Sequence, residues 1–99
     1  MEKKTNIIWT IEARGDVGDI YAKIFDDSVA YADSWYEELE QKLTLLQSFP
    51  QMGRIVPEKQ ISFLREIFVG SFRLIYTYLN NQITIITLRH VSTYLGKII

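Results

Sequence analysis

Ninety-nine residues are enough for one hydrophobic core and too few for a second, so the sequence predicts a single domain over 1–99. With 47% hydrophobic and 23% charged residues the chain has the make-up of a globular protein, and the lack of any cysteine excludes disulfides, thiolate metal sites and a cysteine nucleophile. The net charge of −1 hides an asymmetry, with five Lys/Arg and ten Asp/Glu in residues 1–50 against six and two in 51–99, so any contact with phosphates is expected from the second half unless the imbalance only solubilises the chain.

The opening MEKKTNIIWTIEAR has too short an apolar stretch, broken by Thr10 and Glu12, to read as a signal peptide. No window reaches the roughly 18–20 apolar residues of a membrane span. Together with the missing cysteines, this predicts a cytoplasmic protein without a membrane partner. Asn6 to Ile11 (NIIWTI) is a short β-branched and aromatic run and predicts a first strand.

The hydrophobic period then changes. Val17, Ile20, Tyr21, Ile24 and Phe25 follow the spacing of one helical face, with Asp16 and Asp19 suited to the positive end of the helix. Asp26, Asp27 and Ser28 interrupt and offer an N-cap to a second helix. Its apolar stripe is Ala32, Trp35, Tyr36, Leu39, Leu43 and Leu46, and it must end before Phe49-Pro50. The two form a helical hairpin with an acidic outer face.

Gln51 to Ser62 has little periodicity and predicts a loop. Three strands follow, Phe63 to Val69, Phe72 to Leu79 and Gln82 to His90, separated by Gly70-Ser71 and Asn80-Asn81. Gly and Asn tolerate the positive φ that two-residue hairpin turns require. The sum is an α+β chain, β-αα-βββ, with the helical hairpin packed on one face of an antiparallel sheet.

Counting outward from those turns sets Val69 opposite Phe72, Phe68 opposite Arg73, Leu79 opposite Gln82 and Arg73 opposite Leu88. One face then carries Ile67, Val69, Phe72, Leu74, Tyr76, Tyr78, Ile83 and Ile85, and should receive the helices. The other carries Glu66, Arg73 and His90 among Leu64, Phe68, Ile75, Thr77, Thr84, Ile86 and Leu88, which makes Arg73 and His90 diagonal neighbours about 7–8 Å apart. Three readings stay open: phosphate binding and proton transfer in RNA cleavage, anchoring of a protein partner, or an ordinary Glu66-Arg73 pair beside an incidental histidine. There is no Gly-rich phosphate loop, HExxH motif or histidine pair, so neither a cofactor nor a metal is expected.

Over residues 7 to about 95 the chain resembles toxins of the RelE/ParE superfamily from bacterial type II toxin-antitoxin modules. The resemblance rests on the early strand and helical hairpin, the helix exit LQSFPQMGR, the hairpin LREIFVGSFRLIYTY, and the terminal strand ITIITLRH. It implies the same α+β fold and a cognate antitoxin as partner, within a plasmid-stabilisation module. For a RelE-like member it further implies a ribosome-dependent mRNA interferase, an endoribonuclease working on the ribosome and mRNA. The residues it would use are Arg73, His90 and Arg65, with Glu58 as an acidic base and Tyr94 as the C-terminal tyrosine. A ParE-like member is instead a poison of DNA gyrase. The sparse basic set Arg54, Lys59, Arg65, Arg73, Arg89 and Lys97, the long hairpin and the P-x-x-G-R exit favour the ParE branch. An inactive binding homologue is the third alternative, and a homodimer and a toxin-antitoxin hetero-oligomer are both open. The terminal Ile98-Ile99 pair is expected to pack on the antitoxin, a second copy or the chain's own core.

Overall fold

The computed structural model describes residues 4–96. Strand β1 (Asn6–Trp9) leads into helices α1 (Ile11–Asp27) and α2 (Val29–Ser48), followed by β2 (Arg54–Ile55), β3 (Leu64–Val69), β4 (Phe72–Leu79) and β5 (Gln82–His90). The five strands form one sheet in the order β1-β5-β4-β3-β2; β1 runs parallel to β5 and every other pair is antiparallel. The α+β architecture expected from periodicity is therefore present. Two features are added: the short strand β2 inside the expected loop, and the parallel seat of β1.

Helix α1 begins earlier than the apolar stripe suggested, because Thr10 caps it: the Thr10 side chain accepts from the Ala13 N–H at 3.0 Å. Ser28 does the same for α2, accepting from the Tyr31 N–H at 3.1 Å while its own N–H closes α1 on the Ile24 carbonyl. One residue thus ends one helix and starts the next, which folds the hairpin tightly.

All eight side chains assigned to the helix-facing side of the sheet lie there. Ile67, Val69, Leu74, Tyr76, Ile83 and Ile85 are buried with Trp35, Leu39 and Leu46, while Phe72 and Tyr78 pack against them. Both turns are two residues long, and Gly70, Asn80 and Asn81 have φ of 57°, 51° and 60°, the left-handed conformation that glycine and asparagine tolerate best.

The register departs from the count at one place. Tyr76 pairs with Ile85 but Ile75 pairs with Thr87, so Ile86 is an extra residue, a β-bulge in β5. Beyond it each residue changes face. Arg73 opposes Arg89 rather than Leu88, Leu88 enters the helix-side core, and His90 opposes Phe72. Helix α1 is stitched to the bulge. Thr10 donates its N–H to the Ile85 carbonyl and its hydroxyl to that of Ile86, and Asp16 accepts from the Leu88 N–H and the Thr87 hydroxyl at 3.0 and 2.7 Å.

The chain leaving α2 wraps around one hydroxyl. Tyr76 is fully buried; its Oη donates to the Pro50 carbonyl at 2.8 Å and accepts from the Gly53 N–H at 3.0 Å. A Cβ on Gly53 would stand 2.6 Å from both that hydroxyl and the Glu66 carbonyl, so the P-x-x-G-R glycine is required by packing. Gly53→Ala should cost about 1–3 kcal/mol, the usual range for overpacking. A denaturation midpoint equal to the parent's would contradict this.

Candidate functional site

The helix-free face of the sheet is closed at one end by two segments without regular structure. Val56 from the loop before β3 and Leu95 from the segment after β5 are fully buried against Leu64 and Ile75, with Ile86 alongside. Beside them runs a chain of alternating charges, Arg54, Glu66, Arg73 and Glu58, buried at Glu66 and Arg73 and exposed at Arg54.

Strand pairing sets Arg54 of β2 opposite Glu66 of β3, and Arg73 of β4 is the diagonal neighbour of Glu66. Arg54 Nε stands 2.5 Å from Glu66 Oε2, and its guanidinium lies 5.2 Å from the centre of the Phe68 ring. Arg73 Nε donates to Glu66 Oε1 at 2.6 Å and Nη2 is 2.5 Å from the same oxygen. On its other side Arg73 grips Glu58 with both terminal nitrogens at 2.8 Å, and Nη1 also donates to the Thr93 carbonyl at 3.2 Å. A guanidinium has five N–H donors. Four of them are hydrogen-bonded inside the chain and all three nitrogens have partners there, and Arg73 is only 4% and Glu66 1% exposed. The cluster holds two positive and two negative groups and is neutral as a whole.

The arrangement holds Glu58 and Arg73 firmly ionised. Hydrogen bonding to Arg73 draws the Glu58 carboxyl from its ordinary 4.5 down to about 2 against the opposing effect of burial, helped by its own backbone N–H and that of Leu95. Arg73 is raised further above its already high value, first by its bonds to Glu58. In this range the unfolded chain takes up a proton on Glu58 before the folded one does, so stability contributed by the pair is complete above about pH 4.5 and is lost as pH falls toward 2. Glu58→Gln should therefore be less stable than the parent at pH 7, with the difference shrinking steadily to near zero at about pH 2. A difference that stays constant over that range in denaturant titrations would contradict the ionic origin of the contact.

The residues singled out in the sequence fall in four places. Arg73 and Glu58 meet, as an ion pair. Arg65 points to the other side, where Nη1 donates to the Gly53 and Gln51 carbonyls at 2.8 and 3.3 Å and secures the chain around Tyr76. His90 is not beside Arg73: the bulge places it by Phe72, ring centres 5.5 Å apart and edge to face, and its Nδ1 accepts from the Ser92 N–H at 3.1 Å. The expected convergence of Arg73 and His90 on one face is thereby corrected. Tyr94 is 67% exposed, and no hydrogen bond links it to Arg73 among the described residues.

The sequence reading missed Arg54 as the outer partner of Glu66. It also missed the backbone of Thr93 and Leu95, which ties the C-terminal segment to Arg73 and Glu58. Lys59 adds a third tie, donating to the Gly96 carbonyl at 3.1 Å. Lys97 and the Ile98-Ile99 pair lie outside the described residues. Among those residues no group of three or more His, Cys, Asp or Glu is placed to hold a metal ion. No helix among them is long and apolar enough to cross a membrane.

The order of elements, the sheet and the hairpin on one face are those expected of a RelE/ParE-type toxin. A family model described as the ParE toxin of the type II toxin-antitoxin system parDE matches residues 7–93, and the chain belongs to this family. Solved structures agree in fold. A chain of the chromosomal ParDE toxin-antitoxin system from P. aeruginosa superposes with a TM-score of 0.67 at 16% identity, covering 88% of this chain and 96% of that one. A chain of the RelBE2 toxin-antitoxin complex from Mycobacterium tuberculosis gives 0.58 at 18% identity, covering 89% and 99%. A search of curated proteins finds no match.

Proposed function

We propose that this toxin acts as a ParE-like inhibitor of DNA gyrase in the cytoplasm and is neutralised by its cognate antitoxin. The observation that carries the reading is the state of Arg73. Stabilising a scissile phosphate needs a guanidinium with donors to spare, and here all three guanidinium nitrogens are engaged by Glu66, Glu58 or the Thr93 carbonyl beneath a closed apolar lid. His90, the natural proton carrier, is directed to Phe72 instead. The family match to ParE toxins points the same way. In this reading Arg73 and Glu58 are structural, and the working surface is for a protein.

The experiment is direct inhibition of purified gyrase by the purified toxin, followed as loss of DNA supercoiling. Inhibition that antitoxin reverses is the expected result. Intact gyrase activity at toxin excess, with cleavage of mRNA on ribosomes, would establish the RelE-like alternative instead. Intact gyrase and intact mRNA would leave an inactive binding homologue.

A further inference from the structure

Strand β1 forms one edge of the sheet, and its outer side is bare from Ile7 to Trp9. Parallel pairing sets Ile8 against Thr84 and Trp9 against Ile85, and Thr10 gives its N–H to the Ile85 carbonyl. The backbone groups of successive strand residues point to opposite sides, so Asn6 and Ile8 also face β5, while Ile7 and Trp9 direct their N–H and C=O away from the sheet. The fold covers this edge at both ends. Gln47 takes the Thr5 N–H on its carbonyl at 3.0 Å and donates its side-chain amide to the Thr5 carbonyl at 3.3 Å, and α1 begins at Ile11. Between them, among the described residues, nothing bonds the outward groups of Ile7 and Trp9.

Such an edge invites another strand, and folds usually guard it with a lysine, a proline, a bulge or a covering segment. Asn6–Trp9 carries none of these. Ile7 and Trp9 turn their side chains to the core, Ile8 is 42% exposed on the helix-free face, and Ile11 just beyond is 91% exposed. The flanking charges say which strand fits. Lys4 stands before the run and Glu12 after it, so a second β1 laid antiparallel brings unlike charges together at both ends, whereas a parallel one sets like against like. The register follows from the outward groups: Ile7 pairs with Trp9 of the second copy and Trp9 with its Ile7, each pair exchanging both N–H···O bonds. Ile8 then meets its own counterpart on a two-fold axis, and Lys4 lies opposite Glu12 of the second copy. Registers centred on Ile7 or Trp9 would need Thr5, already held by Gln47, or Ile11, already in α1.

We propose that the chain self-associates through this edge, β1 against β1 about a two-fold axis at Ile8, so that one five-stranded sheet continues into the other. The contact uses the same patch on both copies and therefore closes at the dimer. Its short length places it among weak, transient interfaces, with a dissociation constant of about 10–100 μM. The dimer requires neither gyrase nor an antitoxin, so loss of the gyrase reading would leave it standing.

The chain has no cysteine of its own, so single cysteines report the axis cleanly. Directly opposed residues of a non-hydrogen-bonded antiparallel pair lie about 4.5 Å apart at Cα, within the span of a disulfide. Under mild oxidation at about 100 μM, Ile8→Cys should cross-link to a dimer about tenfold or more faster than Val29→Cys, which sits at the tip of the hairpin and is 50% exposed. In sedimentation the purified parent chain should pass from monomer to dimer as its concentration rises through about 10–100 μM. Ile8→Lys, which sets like charges on the axis without touching the core, should weaken that dimer about tenfold or more. A parent chain still monomeric at about 1 mM, equal cross-linking of both cysteine variants, or a dimer that Ile8→Lys leaves unchanged would each overturn the proposal, the first by returning the edge to a strand of some other protein.

Discussion

Arg73→Ala should destabilise the protein by about 3–5 kcal/mol, because it leaves the buried Glu66 carboxylate with the exposed Arg54 as its remaining ionic partner and breaks both bonds to Glu58. For a chain of this size that is a fall in Tm on the order of 20 °C. Loss of toxicity on this substitution would therefore report unfolding, and by itself says nothing of catalysis. The informative variant removes the buried pair together. Arg73→Met with Glu66→Met takes both charges out of the interior, keeps comparable volume, and leaves the partly exposed Glu58 and the exposed Arg54 to solvent. Replacing buried ion pairs by apolar side chains is often neutral, so most of the stability should return. If Arg73 is structural, toxicity returns with it; a stable double variant that is no longer toxic would assign Arg73 an active role.

The second large effect is expected at Trp35. Its side chain is 1% exposed in the core between α2 and the sheet, its Nε1 donates to the Val69 carbonyl at 3.0 Å, and its ring meets Phe72 edge to face. Trp35→Ala should cost about 3–5 kcal/mol through the cavity left behind and the carbonyl left without its donor. Trp35→Phe, which keeps an aromatic ring and loses the N–H, should cost clearly less. The residue also governs how α2 docks. Two further polar contacts tie the helix to the same region: Glu38 accepts the Gly70 N–H at 3.0 Å, and Lys42 donates to the Phe68 carbonyl at 2.6 Å. A Trp35→Ala protein that unfolds within about 1 kcal/mol of the parent would show that the helix is held mainly by its other contacts.

Much of this fold was legible because strict alternation and good turn residues leave little freedom. Once Gly70-Ser71 and Asn80-Asn81 are accepted as two-residue turns, the faces of β3, β4 and the first half of β5 follow, as does the shared face of Glu66 and Arg73. The count fails where alternation fails. Ile85 and Ile86 are adjacent apolar residues in a run that otherwise alternates, and an extra residue there lets both Ile85 and Leu88 reach the helix-side core. That doublet was the visible signal of the bulge, and missing it carried His90 to the wrong face.

The start of α1 was hidden by the spacing of its apolar residues, since the cap at Thr10 precedes the first stripe residue, Val17, by about two turns. The lid over Arg73 had no periodic signature at all. Glu58, Thr93 and Leu95 come from irregular segments whose positions depend on Val56 and Leu95 finding the apolar patch around Ile75. The family resemblance could therefore single out Glu58 as a candidate, while nothing in the spacing showed that Arg73 would pair with it.

The most direct test of the whole account is to express the chain alone in bacteria under tight control and follow DNA and protein synthesis separately by pulse labelling. A gyrase-directed toxin whose Arg73 is committed to its own fold should stop DNA synthesis first, with translation declining only later. Arrest of protein synthesis while DNA replication continues would contradict it and return Arg73 and His90 to consideration as groups that act on RNA.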